Sequence, residues 1–227
     1  MNRKVIVALD VSSREEALHL VEQLRDLVGM FKVGSQLFMG AGQSIVQEII
    51  ASGGNVFLDL KFHDIPNTVA NAAIESARLG VSMMTIHASG GRAMMEAVAR
   101  ELNDKFAERK PIVVAITVLT SFDTRALFEI GWELPLDEQV QRLALLAEDC
   151  GIDGVVCSPR EIQVVRKVVK PAFKIVTPGI RLPDQSLNDQ QRVATPREAI
   201  ASSADYIVVG RAITQDRDPR SAVQRIL

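Results

Sequence analysis

The stretch NVFLDLKFHDIPNT, Asn55 to Thr68, carries an apolar run that ends in two acids and a lysine within six residues, Asp59, Lys61 and Asp64, with Pro66 close behind. The β-branched and aromatic start reads as a strand. Pro66 sits where the first turn of a helix would begin, a position that tolerates proline because its missing N–H has no helical partner there. Successive side chains of a strand point to opposite faces, so Asp59 and Lys61 share one face while Leu58 and Leu60 share the other. Leucines turned outward against helices leave the acid and the lysine facing inward. A solubilising strand end has no need of this arrangement.

The same strand-then-helix unit recurs along the 227 residues. Candidate strands are Val5–Leu9, Met30–Val33, Asn55–Lys61, Met83–His87, Ile112–Thr117, Gly154–Cys157, Lys174–Thr177 and Tyr206–Val209. Most are continuous apolar runs, as parallel strands covered on both faces require. Helical segments lie between them. The first has Ser12 three residues before Glu15, a capping-box spacing, and a stripe of Ala17, Val21, Leu24 and Val28. Ser89-Gly90-Gly91 precedes the fourth helix, PLDEQVQRLALLAEDC is the fifth with Gly151 ending it, and Pro159 and Pro196 mark later starts. Eight such units without a break in composition predict a single-domain (β/α)8 TIM barrel over residues 1–227. A doubly wound open sheet is the alternative, but no G-x-G-x-x-G follows the first strand. The longest connection runs from Thr177 to Thr195, polar and turn-rich, and is read either as a lid around residues 178–194 or as solvated surplus.

Composition narrows the function. A formal net charge of −2 offers nucleic acid or anionic membrane no general attraction, so any anion site has to be local. Apolar runs fall short of a bilayer span, and the N-terminus enters a strand-like segment without a signal-peptide pattern. The two cysteines make no disulfide framework, and Cys150 shares a helix face with Val140, Leu143 and Ala147, so both read as buried thiols in a cytoplasmic protein.

Barrel chemistry gathers at the carboxyl ends of strands. Those ends carry Asp10 after the first strand, Lys32 on the second, Asp59, Lys61 and Asp64 at the third, His87 at the fourth, Thr120 and Ser121 after the fifth and Ser158 after the sixth. The seventh is followed by Pro178-Gly179-Ile180-Arg181 and the eighth by Gly210-Arg211. Ionisable groups therefore cluster at strands one to three. An ion pair of Asp59 with Lys61 could be structural, yet burying a pair seldom improves on apolar packing, which favours a functional reason for keeping it. Gly210 and Arg211, at the usual phosphate position of this fold, read as an anion site; a plain strand turn is the competing reading of the dipeptide alone. His19 reads as a surface residue, and the direction of His63 is open. His63 and His87 with Asp59 and Asp64 resemble a metal-ligand set only loosely, since a lysine between the acids already supplies the counter-charge. No metal is expected.

The chain resembles the orotidine 5'-monophosphate decarboxylase family in its bacterial form. Nine motifs in register carry the likeness: VALD (7–10), KVG (32–34), LDLKFHDIPNT (58–68), HASGG (87–91), VLTS (118–121), GVVCS (154–158), TPGIR (177–181), DQQRVATP (189–196) and VVGRAIT (208–214). The resemblance implies a homodimeric barrel that converts orotidine 5'-monophosphate to UMP and carbon dioxide, the last step of de novo pyrimidine synthesis, without cofactor. It implies that Lys61 protonates C6 of the pyrimidine, that Asp59 stands beside the departing carboxylate, and that Lys32, Asp59, Lys61 and Asp64 form an alternating charge network. Asp10 and Lys32 would hold the ribose hydroxyls, with Asp64 and Thr68 reaching the neighbouring subunit's site. Thr120 and Ser121 would lie at the pyrimidine. Pro178, Arg181, Gln190, Gly210 and Arg211 would surround the phosphate, Gln190 on the lid. Two rivals remain: a Mg²⁺-dependent sugar-phosphate decarboxylase or aldolase of the same superfamily, and a non-catalytic nucleotide-binding barrel.

Overall fold

The computed structural model of the chain describes residues 2–180 and 194–226. Eight parallel strands close into a barrel in chain order, the last pairing with the first. They are β1 (Asn2–Ala8), β2 (Val28–Gly34), β3 (Val56–Phe62), β4 (Met83–His87), β5 (Ile112–Ile116), β6 (Gly154–Val156), β7 (Lys174–Thr177) and β8 (Tyr206–Val209). Each strand of the sequence reading is present; β4, β7 and β8 keep the expected bounds and the other five differ by one residue or more. β1 is displaced most, starting at Asn2 and ending before Leu9.

Two cores follow from the alternation of strand side chains. Ile6, Met30, Phe57, Met83, Val114 and Val176 fill the barrel interior. Their neighbours Val5, Val7, Phe31, Leu58, Ile175 and Ile207 point outward into the larger layer beneath the helices. A fully buried β-branched or aromatic residue at consecutive strand positions is what two covered faces demand.

The helices are α1 (Arg14–Leu24), α2 (Ser35–Ala41), α3 (Ser44–Ala51), α4 (Pro66–Arg78), α5 (Gly91–Phe106), α6 (Thr124–Glu129) and α7 (Leu136–Asp149). They continue with α8 (Ile162–Arg166), α9 (Pro196–Ala201), α10 (Arg211–Thr214) and α11 (Pro219–Ile226). After β2, β5 and β8 two helices stand where one was expected. The cap of α1 corrects the sequence reading by one residue: Ser13, not Ser12, accepts the amide N–H of Glu16 at 3.1 Å. Val28 likewise leaves the helical stripe, because the chain has already entered β2. Pro66 opens α4, and a 3₁₀ turn from Pro159 is closed by a reciprocal Ser158–Glu161 box. Cys150 and Cys157 are both buried thiols, not joined in a disulfide. Among the described residues no helix is long and apolar enough to cross a membrane.

Candidate active site

The hydrophobic interior stops one layer below the carboxyl ends of the strands, and a cavity of about 400 Å³ opens above it. Its floor is apolar, made of Phe57, Ile116, Val156, Val176 and Val208. The β1–β3 side bears Asp10, Lys32, Asp59 and Lys61. The β7–β8 side offers Pro178, Gly179 and Gly210, mostly backbone, with Arg211 and Gln215 beside them. Three cations against two carboxylates make the lining favourable to an anion.

Four of the residues singled out in the sequence form one ionic chain. Lys32 Nζ lies 2.9 Å from Asp10 Oδ1 and 3.5 Å from Asp59 Oδ2. Lys61 Nζ lies 2.9 Å from the same Asp59 oxygen. Asp59 is therefore held between two ammonium groups, its side chain only 12% exposed. Burial alone would push its carboxyl up, but Lys32 and Lys61 outweigh burial and, with hydrogen bonds from Lys61 and Thr85, hold it below the ordinary value. Lys61, 40% exposed, keeps one side toward the open cavity. Gly34, at the end of β2, makes room for this chain: a Cβ there would come within 3.1 Å of Lys32 Nζ and 3.4 Å of Asp10 Oδ1.

The backbone at Lys61 is unusual. Its φ of 55° lies in the left-handed region, which a non-glycine residue enters at a cost. The pairing of β3 with β4 slips at the same point: Leu58 lies opposite Met84 and Phe62 opposite Ile86. Three residues, Asp59 to Lys61, thus face Thr85 alone. The sequence reading foresaw the shared face of Asp59 and Lys61 but not this bulge, nor the roles of Thr85 and Gly34.

The remaining candidates divide between the cavity and positions outside it. Thr120 lines the cavity, whereas Ser121 is exposed and does not. Asp64 and Thr68 are exposed beyond β3. Asp64 Oδ1 accepts the Ile65 N–H at 2.6 Å, and among the described residues Asp64 forms no ion pair. Arg181 and Gln190, and with them most of the expected lid, lie outside the described residues. His19 is exposed. The rings of His63 and His87 are 5.1 Å apart, and burial lowers the His87 pKa to about 4, with His63 and Lys61 adding to the effect and Asp59 opposing it. His87 is then neutral at neutral pH. Among the described residues, no group of three or more His, Cys, Asp or Glu side chains is placed to hold a metal ion.

The protein is thus a (β/α)8 barrel with an apolar-floored, cation-rich cavity at its carboxyl mouth, a site whose charge suits a small anionic ligand. The chain belongs to the orotidine 5'-phosphate decarboxylase / HUMPS family, whose model matches residues 3–226. It is 51% identical over 228 aligned residues to the orotidine 5'-phosphate decarboxylase of Syntrophotalea carbinolica, with 99% of this chain and 93% of that one covered. It is 50% identical to the protein of the same name from Geobacter sulfurreducens, covering 99% and 94%. The crystal structure of the orotidine 5'-phosphate decarboxylase from Lactobacillus acidophilus superposes with a TM-score of 0.86 at 38% identity, covering 99% of this chain and 97% of that one.

Proposed function

We propose that the protein is a carboxy-lyase that converts orotidine 5'-monophosphate to UMP and carbon dioxide, the last step of de novo pyrimidine synthesis, as a cytoplasmic homodimer and without cofactor. The observation that carries this reading is the placement of Asp59 between the ammonium groups of Lys32 and Lys61 at the edge of an anion-favouring cavity. The family membership and the relatives' shared name support it.

In this reading the bond between C6 of the pyrimidine and its carboxylate breaks, carbon dioxide leaves, and the electron pair stays on C6. That pair lies in the ring plane, where the π-system cannot fully delocalise it. An ammonium fixed beside it both stabilises the charge and supplies the proton. Lys61 gives one proton to C6 and, being partly exposed, regains one from solvent. Asp59 holds Lys61 in place and disfavours the substrate carboxylate beside it, a repulsion that ends when neutral carbon dioxide departs. Asp10 and Lys32 bind the ribose hydroxyls, Thr120 and Ser121 meet the pyrimidine, and Pro178, Gly210 and Arg211 take the phosphate, with Arg181 and Gln190 from the lid. The partner subunit supplies a second Asp64 and Thr68. Ile65, 67% exposed beside Asp64, is the kind of apolar side chain such an interface would cover.

The direct test is to mix purified protein with orotidine 5'-monophosphate and EDTA and follow the loss of pyrimidine absorbance. Turnover in EDTA is expected. A rate abolished by EDTA and restored by Mg²⁺ would favour the sugar-phosphate branch of the superfamily, and no turnover at all would favour a binding protein.

The lid carries a separate prediction. Phosphate contacts do not react, so their binding energy can be used to close a loop over the reacting ring. Orotidine lacking the phosphate should then show a lower rate at saturation as well as weaker binding. If nucleoside and nucleotide differ only in affinity, residues 178–194 are no phosphate-triggered lid.

A further inference from the structure

We propose that Thr85 is a positioning residue for the reaction: its single hydroxyl ties the Asp59 carboxylate to the backbone of Lys61 and so sets where the lysine side chain starts. The proposal rests on the decarboxylase reading above, in which Lys61 is the proton donor.

Thr85 sits in β4, fully buried, opposite the bulge of β3. A bulge leaves strand backbone groups without ladder partners. Here the side chain of β4 replaces the missing ladder bond: the Lys61 N–H donates to Thr85 Oγ1 at 2.8 Å. The same hydroxyl donates its hydrogen to Asp59 Oδ1 at 3.1 Å. Asp59 therefore has one oxygen on Thr85 and the other shared by Lys61 and Lys32. The left-handed backbone of Lys61 and the orientation of Asp59 are thus held by one oxygen atom. A valine has nearly the same shape and suits a strand equally well, but it can make neither contact.

The charged and titratable groups facing Asp59 are Lys32 from β2, Lys61 from its own strand and His87 from β4, with Asp10 held on the far side of Lys32. Against that set, losing the Thr85 donor makes the Asp59 carboxyl easier to protonate. Where ionised Asp59 is needed, the rate falls off at a higher pH as the solution is acidified.

The test compares Thr85→Val and Thr85→Ser, with intact sites counted by UMP binding. Removing a hydrogen bond to a charged group predicts a fall in kcat per site of about 10- to 100-fold in Thr85→Val. The UMP dissociation constant should stay within about twofold, the signature of an interaction used mainly in the transition state. The acidic limb of kcat against pH should move up, and Thr85→Ser should restore both rate and limb. A purely structural residue would lower the number of intact sites and leave kcat per site and the limb unchanged; that result overturns the proposal, as does a serine variant no better than the valine one. Should Thr85→Val fail to fold, amide hydrogen exchange at Lys61 in the unaltered protein decides: protection supports the contact, and exchange at the rate of an open loop overturns it. The unaltered protein failing to decarboxylate orotidine 5'-monophosphate would overturn the functional reading instead, and the Lys61 exchange would still decide the contact.

Discussion

Lys61→Ala is expected to abolish nearly all turnover while the folded protein still binds UMP. The loss combines two terms: about 10²- to 10⁴-fold for a positioned general acid and about 10²- to 10³-fold for a preorganised charge at the developing anion. Alanine at position 61 meets the same left-handed backbone as lysine, so the substitution adds no new conformational cost. Nor does it strand a buried charge, since Asp59 keeps Lys32 at 3.5 Å and the Thr85 hydroxyl at 3.1 Å. Folding and UMP binding should therefore survive. Arginine should not rescue the rate: a guanidinium remains charged far above neutral pH and has the wrong shape for one proton delivered from one nitrogen. Saturation kinetics on Lys61→Ala and Lys61→Arg, with UMP binding measured in parallel, check the assignment. Turnover within an order of magnitude of the unaltered protein would remove Lys61 from the role of donor.

Mixing Lys61→Ala with Asp64→Asn should restore activity that neither variant has alone. Asp64 lies beyond the end of β3, exposed, with its carboxylate turned back to the Ile65 amide and no ion pair among the described residues of its own chain. A carboxylate in that position can complete a neighbour's site across a two-fold axis. If each site takes Lys61 from one chain and Asp64 from the other, a mixed dimer places both lesions in one site and leaves the other intact. Random re-association makes about half the dimers mixed, so about a quarter of all sites should be intact under two-fold symmetry. Activity should rise toward that fraction once subunits exchange, which a tagged copy can report. Demonstrated exchange without recovery means that Asp64 serves its own chain.

What could be read from the sequence was local or periodic. Continuous apolar runs such as Val5–Val7 and Ile112–Ile116 mark strands covered on both faces because every side chain there needs an apolar neighbour. Pro66, Pro159 and Pro196 mark helical starts because proline lacks only a donor that the first turn leaves unpaired. Alternation along LDLK was enough to put Asp59 and Lys61 on one face and the leucines on the other. Even local patterns have a limit where they repeat: Ser12 and Ser13 are each followed three residues later by a glutamate, and only the packed helix selects Ser13. The tertiary structure alone decided the rest, because the partners are distant in the chain. Gly34 is needed by an ion pair whose acid, Asp10, comes from the loop after β1. Thr85 looks like any β-branched strand residue; its hydroxyl acquires a purpose only because β3 bulges 24 to 26 positions earlier and leaves the Lys61 amide and an Asp59 oxygen facing it. Composition and periodicity decide which face a residue takes. Which atom it meets there depends on the register between strands, set only when the barrel closes.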